Sequence, residues 1–349
     1  MTLRQRLPMP TPRGPLSRGL SESLTGDRTG LKGLVGLADA VPAEGILLDD
    51  DAQLSLLLLY ELHYRGIEDV TDGWEWHPQL LEVRAVLEDR LESELRSRTT
   101  IPQTGPDGIP EVLFAMTAPT PDRGSSLAGY LARHGTIANY RDFLTLRSVY
   151  HLKEADPHTW AIPRLAGSAK AALVEIQADE YGGGRAERMH ATLFADSMQA
   201  LDLDYGYGRL VDQVPAVVLA GVNAMSMFGL NRRLLGAIVG HLAAFEMTSS
   251  LPNRLYGNGL RRLGYDATAT RFFDEHVQAD AVHEQIAGRD LAGSLAVDEP
   301  DRIPDILFGA SACLLLDDLA AQHMLAHFRS GTSPCHEASA SSPIVAAAS

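Results

Sequence analysis

The sequence predicts an all-α protein. Along most of its 349 residues, apolar side chains recur three and four positions apart with charged residues between them, which is the spacing of amphipathic helices. Val, Ile and Thr form no alternating runs bounded by tight-turn dipeptides, so the sequence gives no support for β-strands. With 45% apolar residues, the chain can bury one large helical core or two modest ones.

The first helices have clear start and stop signals. The acidic residues 49–51 can cap a helix that Gly66 ends, and a second amphipathic helix is predicted from about Pro78 to Arg98. The Pro- and Gly-rich stretch 101–121 is predicted to be a connector. Helical periodicity then continues, with breaks, from about residue 125 to residue 322.

Both ends of the chain differ in composition from the middle. Residues 1–44 are rich in Pro and Arg and lack the apolar segment of a secretory signal, so we expect a disordered basic tail. Residues 331–349, rich in Ser and Ala, are expected to be a second disordered tail. One helical domain over residues 45–330 remains.

Charge and cysteine content narrow the classes of function and location. A net charge of −15 argues against nucleic acid or an anionic membrane as a partner and suits a small cationic or zwitterionic ligand better. Cys313 and Cys335 are too few for a disulfide framework, which favours a reducing, cytoplasmic setting. The longest apolar candidate for a membrane span, from Ala216 to Leu230, is too short and is interrupted by polar residues, so no membrane association is expected.

The most informative pattern is a set of potential metal ligands in a late segment. His276, Asp280 and His283 stand at positions i, i+4 and i+7, which form one stripe on an α-helix. The two histidines are then roughly 10 Å apart along the axis, so they can serve different metal ions.

A matching set of ligand types lies in an earlier segment. Glu187 and His190 form a Glu-x-x-His pair, and Glu180 precedes Glu187 by seven residues on the same face of a regular helix. Such a pair facing a helix with carboxylate and imidazole groups is how helical bundles build two-iron sites. The glycines at 182–184 make the intervening turn easy to unwind, and we hypothesise that metal loading reorders it.

At these positions the chain resembles the haem-oxygenase-like diiron oxidases, also called iron-containing redox enzymes. The resemblance spans roughly residues 141–285. It implies that Glu154 is the family's first carboxylate and that Glu180 is the extra carboxylate of the N-oxygenating branch. The metal ligands that it implies are Glu154, Glu180, Glu187, His190, His276, Asp280 and His283.

The resemblance also implies a function. Two Fe(II) ions would activate O2 as the cosubstrate and oxidise a small amine derived from an amino acid, with electrons from a separate donor and no catalytic residue beyond the ligands. Dimers are usual among such proteins, so a homodimer is expected. One alternative is a diiron oxidase of the same fold that cleaves or desaturates a carbon chain. Another is a protein that binds metal or haem without catalysis.

Single motifs have plainer interpretations. His-x-x-x-Asp-x-x-His alone also fits a solvated helix face. Glu246, within the run Phe-Glu-Met-Thr-Ser-Ser, either orients a metal ligand or is a buried structural carboxylate with hydroxyl partners.

Overall fold

A computed structural model describes residues 6–26, 31, 33–118 and 126–337, with only the backbone described at residues 278–281. Helices dominate these residues, which confirms the all-α prediction; within them no β-strand forms, and an isolated parallel bridge joins Leu7 to Ile67. The α-helices are α1 (Pro15–Thr25), α2 (Leu34–Asp39), α3 (Asp50–Glu61), α4 (Pro78–Arg98), α5 (Ile109–Thr117), α6 (Leu127–His134), α7 (Ile137–His151), α8 (Asp156–Thr159), α9 (Gly167–Glu180), α10 (His190–Ala200), α11 (Ala216–Leu230), α12 (Leu235–Arg262), α13 (Ala267–Gln285), α14 (Ser294–Asp298) and α15 (Ile303–Ser330).

The long helix α12 lies at the centre of the bundle and packs along α13 and α15. The backbones of α12 and α15 approach closely at Gly240 and Gly309, where an added Cβ atom would overlap the carbonyl groups of the facing helix. The segment Arg232–Arg262 is long and apolar enough to cross a membrane by length and composition, but 67% of its most apolar window is buried inside the fold. The apolar residues of this segment therefore belong mostly to the hydrophobic core.

The two helices predicted near the start of the chain are confirmed. The Asp49 side chain accepts hydrogen bonds from the backbone N–H groups of Asp51 and Ala52 and so caps α3. Helix α4 has the predicted bounds, with Pro78 in its first turn. The prediction that 101–121 is only a connector is wrong, because α5 lies within it and buries Leu113.

The prediction of a disordered tail over residues 1–44 is wrong for its described part. Helix α1 begins at Pro15, and the carboxylate of Asp51 accepts the backbone N–H groups of Leu16 and Ser17 at 2.8 and 2.7 Å. The leucines that this helix buries are Leu16, Leu20 and Leu24. A leucine every fourth residue gives a buried stripe that outweighs the polar composition of the segment.

The described part of the other tail, residues 331–337, also packs against the body. The His336 backbone N–H donates to the carbonyl of Gln213 at 2.9 Å, and the His336 side chain lies 3.0 Å from Asp50. The expectation of disorder is wrong for these residues, since both main-chain and side-chain groups are held. Residues 338–349 lie outside the described part of the chain.

Candidate metal centre

Two groups of buried carboxylates and histidines meet inside the bundle and share one residue, Glu180. The first group is Glu154, Glu180, His190 and His276, and the second is Glu180, Glu246 and His283. Within each group, one potential ligand atom per residue lies within 4.8 Å of those of the others. A carboxylate has two oxygens, so Glu180 could serve as a ligand in both groups.

Glu180 and His190 reach the centre from opposite ends of a glycine turn. Gly182, Gly183 and Gly184 all have positive φ angles, of 68°, 60° and 79°, which residues with a Cβ rarely adopt. Helix α9 therefore stops at Glu180, and α10 starts at His190 after two short 3₁₀ turns. The chain folds back at this turn, and the Glu180 Oε2 atom lies 2.9 Å from the Nδ1 atom of His190.

His276 is oriented by the helix that carries it. Its Nδ1–H donates to the carbonyl of Phe272 at 2.8 Å, which leaves the lone pair on Nε2. That nitrogen lies 3.6 Å from the Oε1 atom of Glu154. A backbone carbonyl that fixes the tautomer of an imidazole in this way is the usual support for a metal-binding histidine.

Glu154 belongs to a strained turn between α7 and α8. The next residue, Ala155, has a φ of 72°, which is uncommon for a residue with a side chain. Several contacts hold this turn: buried Lys153 pairs with buried Glu61, and the Gln177 side chain donates to the carbonyl of Ala155 at 2.9 Å. The strain is therefore maintained by neighbours that fix where the carboxylate points.

The local charges keep Glu154 ionised. Burial by itself raises the pKa of Glu154, but the charge and hydrogen bond of His151, together with His276, outweigh it and hold the pKa well below its ordinary value. The His151 Nδ1–H donates to the Glu154 Oε1 atom at 2.7 Å. Glu154 therefore offers an anionic ligand with one oxygen already oriented.

His283 lies between two carboxylates in the second group. Its Nε2–H donates to Asp179 at 3.1 Å, and its Nδ1 atom lies 3.4 Å from the Oε2 atom of Glu246. Although burial lowers the pKa of His283, Glu246 and Asp179 raise it to about 9. Burial and the nearby charge of Glu180 raise the pKa of Glu246. A metal ion that displaced the His283 proton would relieve this crowding of carboxylates.

The donor set fits iron. Buried polar atoms are normally hydrogen-bonded, yet the fully buried Glu154 Oε2 has no hydrogen-bond partner among the described residues. The buried Nδ1 atoms of His190 and His283 face the carboxylates of Glu180 and Glu246 at 2.9 and 3.4 Å without forming a hydrogen bond of normal geometry. These atoms belong to the two groups that share Glu180. Mixed carboxylate and imidazole ligands in a helical bundle are the set that holds paired iron ions.

The structure places the predicted ligands in three ways. Five of them converge in the two groups, namely Glu154, Glu180, His190, His276 and His283. Glu187 does not: it is exposed on the 3₁₀ turn Ala186–Arg188, because the glycine turn breaks the continuous helix that the Glu-x-x-His spacing assumed. The Asp280 side chain lies outside the described part of the chain.

Glu246 is the converging residue that the sequence did not identify as a ligand. It lies on α12 and is 5% exposed, with its carboxylate in the second group. No motif spacing connects it to the other ligands. The available signal was an acidic residue in a strongly apolar helical run, where a charge is costly unless it is paired or bound to metal.

The part of the chain that carries the metal centre is similar to known proteins. A sequence model of the family described as iron-containing redox enzyme matches residues 141–318, half of the chain, and this range contains both ligand groups. A nitrosourea synthase from Streptomyces achromogenes subsp. streptozoticus is 28% identical over 161 residues, which are 45% of this chain and 34% of that protein. The chain thus matches about a third of the length of this curated relative.

Proposed function

The chain belongs to the family of iron-containing redox enzymes, and from that premise we propose that it is a diiron oxygenase that adds oxygen to the nitrogen of a small, amino-acid-derived amine. The observation that carries the proposal is the shared residue Glu180, which gives two adjoining groups of ligands in place of one. The relative is named for making a nitrosourea, a class of compound with oxygen on nitrogen, which agrees with this chemistry.

Bound iron would supply electrons and open coordination positions for O2, with further electrons from a donor protein or reductant. The protein's own groups hold the ligands in place: Asp179 orients His283, the Phe272 carbonyl orients His276, and His151 orients Glu154. Glu180 adds a carboxylate to those of Glu154 and Glu246. Its negative charge would stabilise a higher charge on a metal ion held there.

Aromatic side chains surround part of the centre, and the cavities beside it have room for an organic molecule. Phe194 and Phe272 lie against His151, with ring centroids at 4.8 and 5.0 Å. Phe245 lines both the small cavity between the ligands and a larger cavity next to it. Apolar walls on this side of the centre would limit the access of bulk water and so would disfavour side reactions.

The proposal is tested by product analysis. The protein is loaded with Fe(II) without oxygen and mixed with ¹⁸O2 and a set of small amines and amino acids that carry a second amine. A hydroxylamine or nitroso product that contains ¹⁸O would support the proposal. Aldehyde or alkene products would instead indicate carbon-centred oxidation. The variant Glu187→Gln changes an exposed carboxylate outside the ligand groups, so it should give the same products as the wild-type protein and serves as the control.

A further inference from the structure

Gln177 is a buried amide that lies beside the metal centre but belongs to neither ligand group. It is on α9, three residues before Glu180, so both side chains project from the same side of the helix. The residue is 3% exposed. It lines a small cavity whose walls include four of the converging ligands, namely Glu154, Glu180, Glu246 and His276. A group that binds in this cavity therefore lies directly against the metal centre.

Two hydrogen bonds fix the orientation of the Gln177 amide. Its Nε2 group donates to the carbonyl of Ala155 at 2.9 Å and to the Oγ1 atom of Thr159 at 2.6 Å, which uses both amide hydrogens. A flipped amide would place Oε1 against the Ala155 carbonyl, where two acceptors would repel each other. The carbonyl oxygen of Gln177 is therefore the end of the amide that is not used by these neighbours.

The hydrogen bonds behind Thr159 run in a single direction. The Tyr181 hydroxyl donates to the Asp156 carboxylate at 2.9 Å, because a carboxylate can only accept. The Tyr181 oxygen is then free to accept from the Thr159 hydroxyl, 2.8 Å away, while the Thr159 oxygen accepts from Gln177. Every donor in this chain points from Gln177 toward Asp156. The chain therefore leaves Gln177 with an acceptor and no donor for a further partner.

The unused oxygen indicates a missing hydrogen-bond donor. Gln177 Oε1 is fully buried and has no hydrogen-bond partner among the described residues. Buried acceptors are normally paired, since an unpaired one has lost its bond to water without a replacement. The small cavity has room for about one water-sized group, which is also the size of an amino group. An N–H or O–H group that enters the cavity would supply the missing bond.

A neutral acceptor at this position suits a neutral amine. Transfer of oxygen to nitrogen needs the nitrogen lone pair, which an ammonium ion does not have. A carboxylate as the hydrogen-bond partner would favour the ammonium form, whereas the amide carbonyl of Gln177 carries no net charge. Bound iron would compensate the charge of the neighbouring carboxylate ligands. Gln177 can therefore hold one N–H group while the lone pair stays available.

We propose that Gln177 is a positioning residue for the reacting amine: its Oε1 atom accepts one N–H group of a neutral primary or secondary amine. The choice of nitrogen as the reacting atom rests on the proposed function. The amine releases its ammonium proton to bulk water before it binds. Tertiary amines have no N–H group, so Gln177 selects against them.

The first test measures binding without turnover. The full chain, loaded with Fe(II) under argon, is titrated by calorimetry with butylamine, 1-butanol and 1-fluorobutane, which have similar size and end in an N–H donor, an O–H donor and no donor. Gln177→Met keeps the length of the side chain but removes the carbonyl. It should weaken the binding of butylamine and 1-butanol by roughly 3- to 10-fold, the range for one neutral hydrogen bond, and leave 1-fluorobutane unchanged.

Gln199→Met is the matched control, because it makes the same change at an exposed position on α10 and should keep the wild-type affinities. An equal loss for all three probes in Gln177→Met would indicate a structural role and overturn the proposal. Unchanged butylamine affinity in Gln177→Met, or no butylamine binding to the wild-type protein, would also overturn it. Gln177→Met should retain the wild-type affinity for Fe(II); a loss of about tenfold or more would make Gln177 a metal ligand instead.

The pH dependence of binding gives a second test that a structural role would not affect. Butylamine has a pKa near that of a lysine side chain, about 10.4, so binding of the neutral form predicts an affinity that rises about tenfold from pH 7 to pH 8 relative to 1-butanol. In Gln177→Glu the added carboxylate favours the ammonium form, and this rise should become much smaller. The same rise in Gln177→Glu as in the wild-type protein would contradict the role of Gln177.

Failure of this proposal can be distinguished from failure of the proposed function by the products formed with ¹⁸O2. Butylamine binding that depends on Gln177, in a protein that yields only aldehydes or alkenes, would retain the amine site and reject N-oxygenation. N-oxygenated products formed equally well by Gln177→Met would support the proposed function and overturn the positioning role.

Discussion

The substitution Glu246→Gln tests whether the metal ligands are the residues that converge in the structure or those that the helical spacing predicts. Glu246 is buried, and its Oε2 atom lies 3.4 Å from the Nδ1 atom of His283. The change keeps the size of the side chain but removes the anionic oxygen. Glu187→Gln makes the same chemical change on the exposed turn after α9.

The expected loss of iron affinity for Glu246→Gln is about 10- to 100-fold, the range for residues that bind or support a metal ion. This loss equals about 1.4 to 2.7 kcal/mol of binding free energy. The free energy of unfolding of the metal-free protein should stay the same or rise, because burial and Glu180 disfavour the ionised form of Glu246. Glu187→Gln should change neither quantity measurably.

The assay is an anaerobic Fe(II) titration in competition with a chromogenic chelator, together with urea unfolding of the metal-free proteins. A large affinity loss for Glu187→Gln with none for Glu246→Gln would refute the ligand assignment. That outcome would mean that the chain from Glu180 to His190 forms a continuous helix when metal is bound. Loss of stability in the metal-free Glu246→Gln protein would point instead to a structural carboxylate.

Two further predictions concern groups around the centre. Lys153→Met should lower the free energy of unfolding by about 3–5 kcal/mol, because it leaves the buried charge of Glu61 unpaired. The double variant Glu61→Leu with Lys153→Met should recover much of that stability, as measured by urea unfolding. It should still bind iron more weakly than wild type, because the turn that carries Glu154 loses its support. Full iron affinity in the double variant would exclude this positioning role. Burial lowers the pKa of His241 to about 4. As the pH falls, the His241 imidazole is therefore protonated at a higher pH in the unfolded chain than in the folded protein. His241 alone should therefore contribute a decrease in stability of about 1.4 kcal/mol per pH unit from about pH 6.5 down to pH 4. His241→Gln should flatten this dependence in urea unfolding curves, whereas the exposed control His134→Gln should not; an unchanged slope for His241→Gln would contradict the role of burial.

The sequence was a good guide to the fold where periodicity and caps agreed. Asp49 and Pro78 correctly predicted where α3 and α4 start, because the capping of a helix depends on residues close together in the sequence. Composition misled at the N-terminus, where proline and arginine suggested disorder. The contact that orders α1 is with Asp51, a carboxylate more than thirty residues away, and such a contact leaves no local pattern.

The ligand residues could be predicted from the sequence where the helix is regular. His276 and His283 lie on α13 as their spacing requires, and each belongs to a different ligand group. Glu187 was assigned on the assumption of a helix that the glycine turn interrupts. Glu246 comes from α12, which has no partner motif, so only its three-dimensional packing shows that it converges.

We propose that Glu180 joins two metal sites in one chain. This proposal is tested most directly by titrating the purified protein with Fe(II) without oxygen and then mixing it rapidly with O2 while recording visible absorbance. We predict saturation near two Fe(II) ions per chain and a transient visible band after O2 is added. In Glu180→Ala, some iron binding should remain and the band should be lost. Saturation at one ion per chain in both proteins, with the same reaction toward O2, would contradict the account.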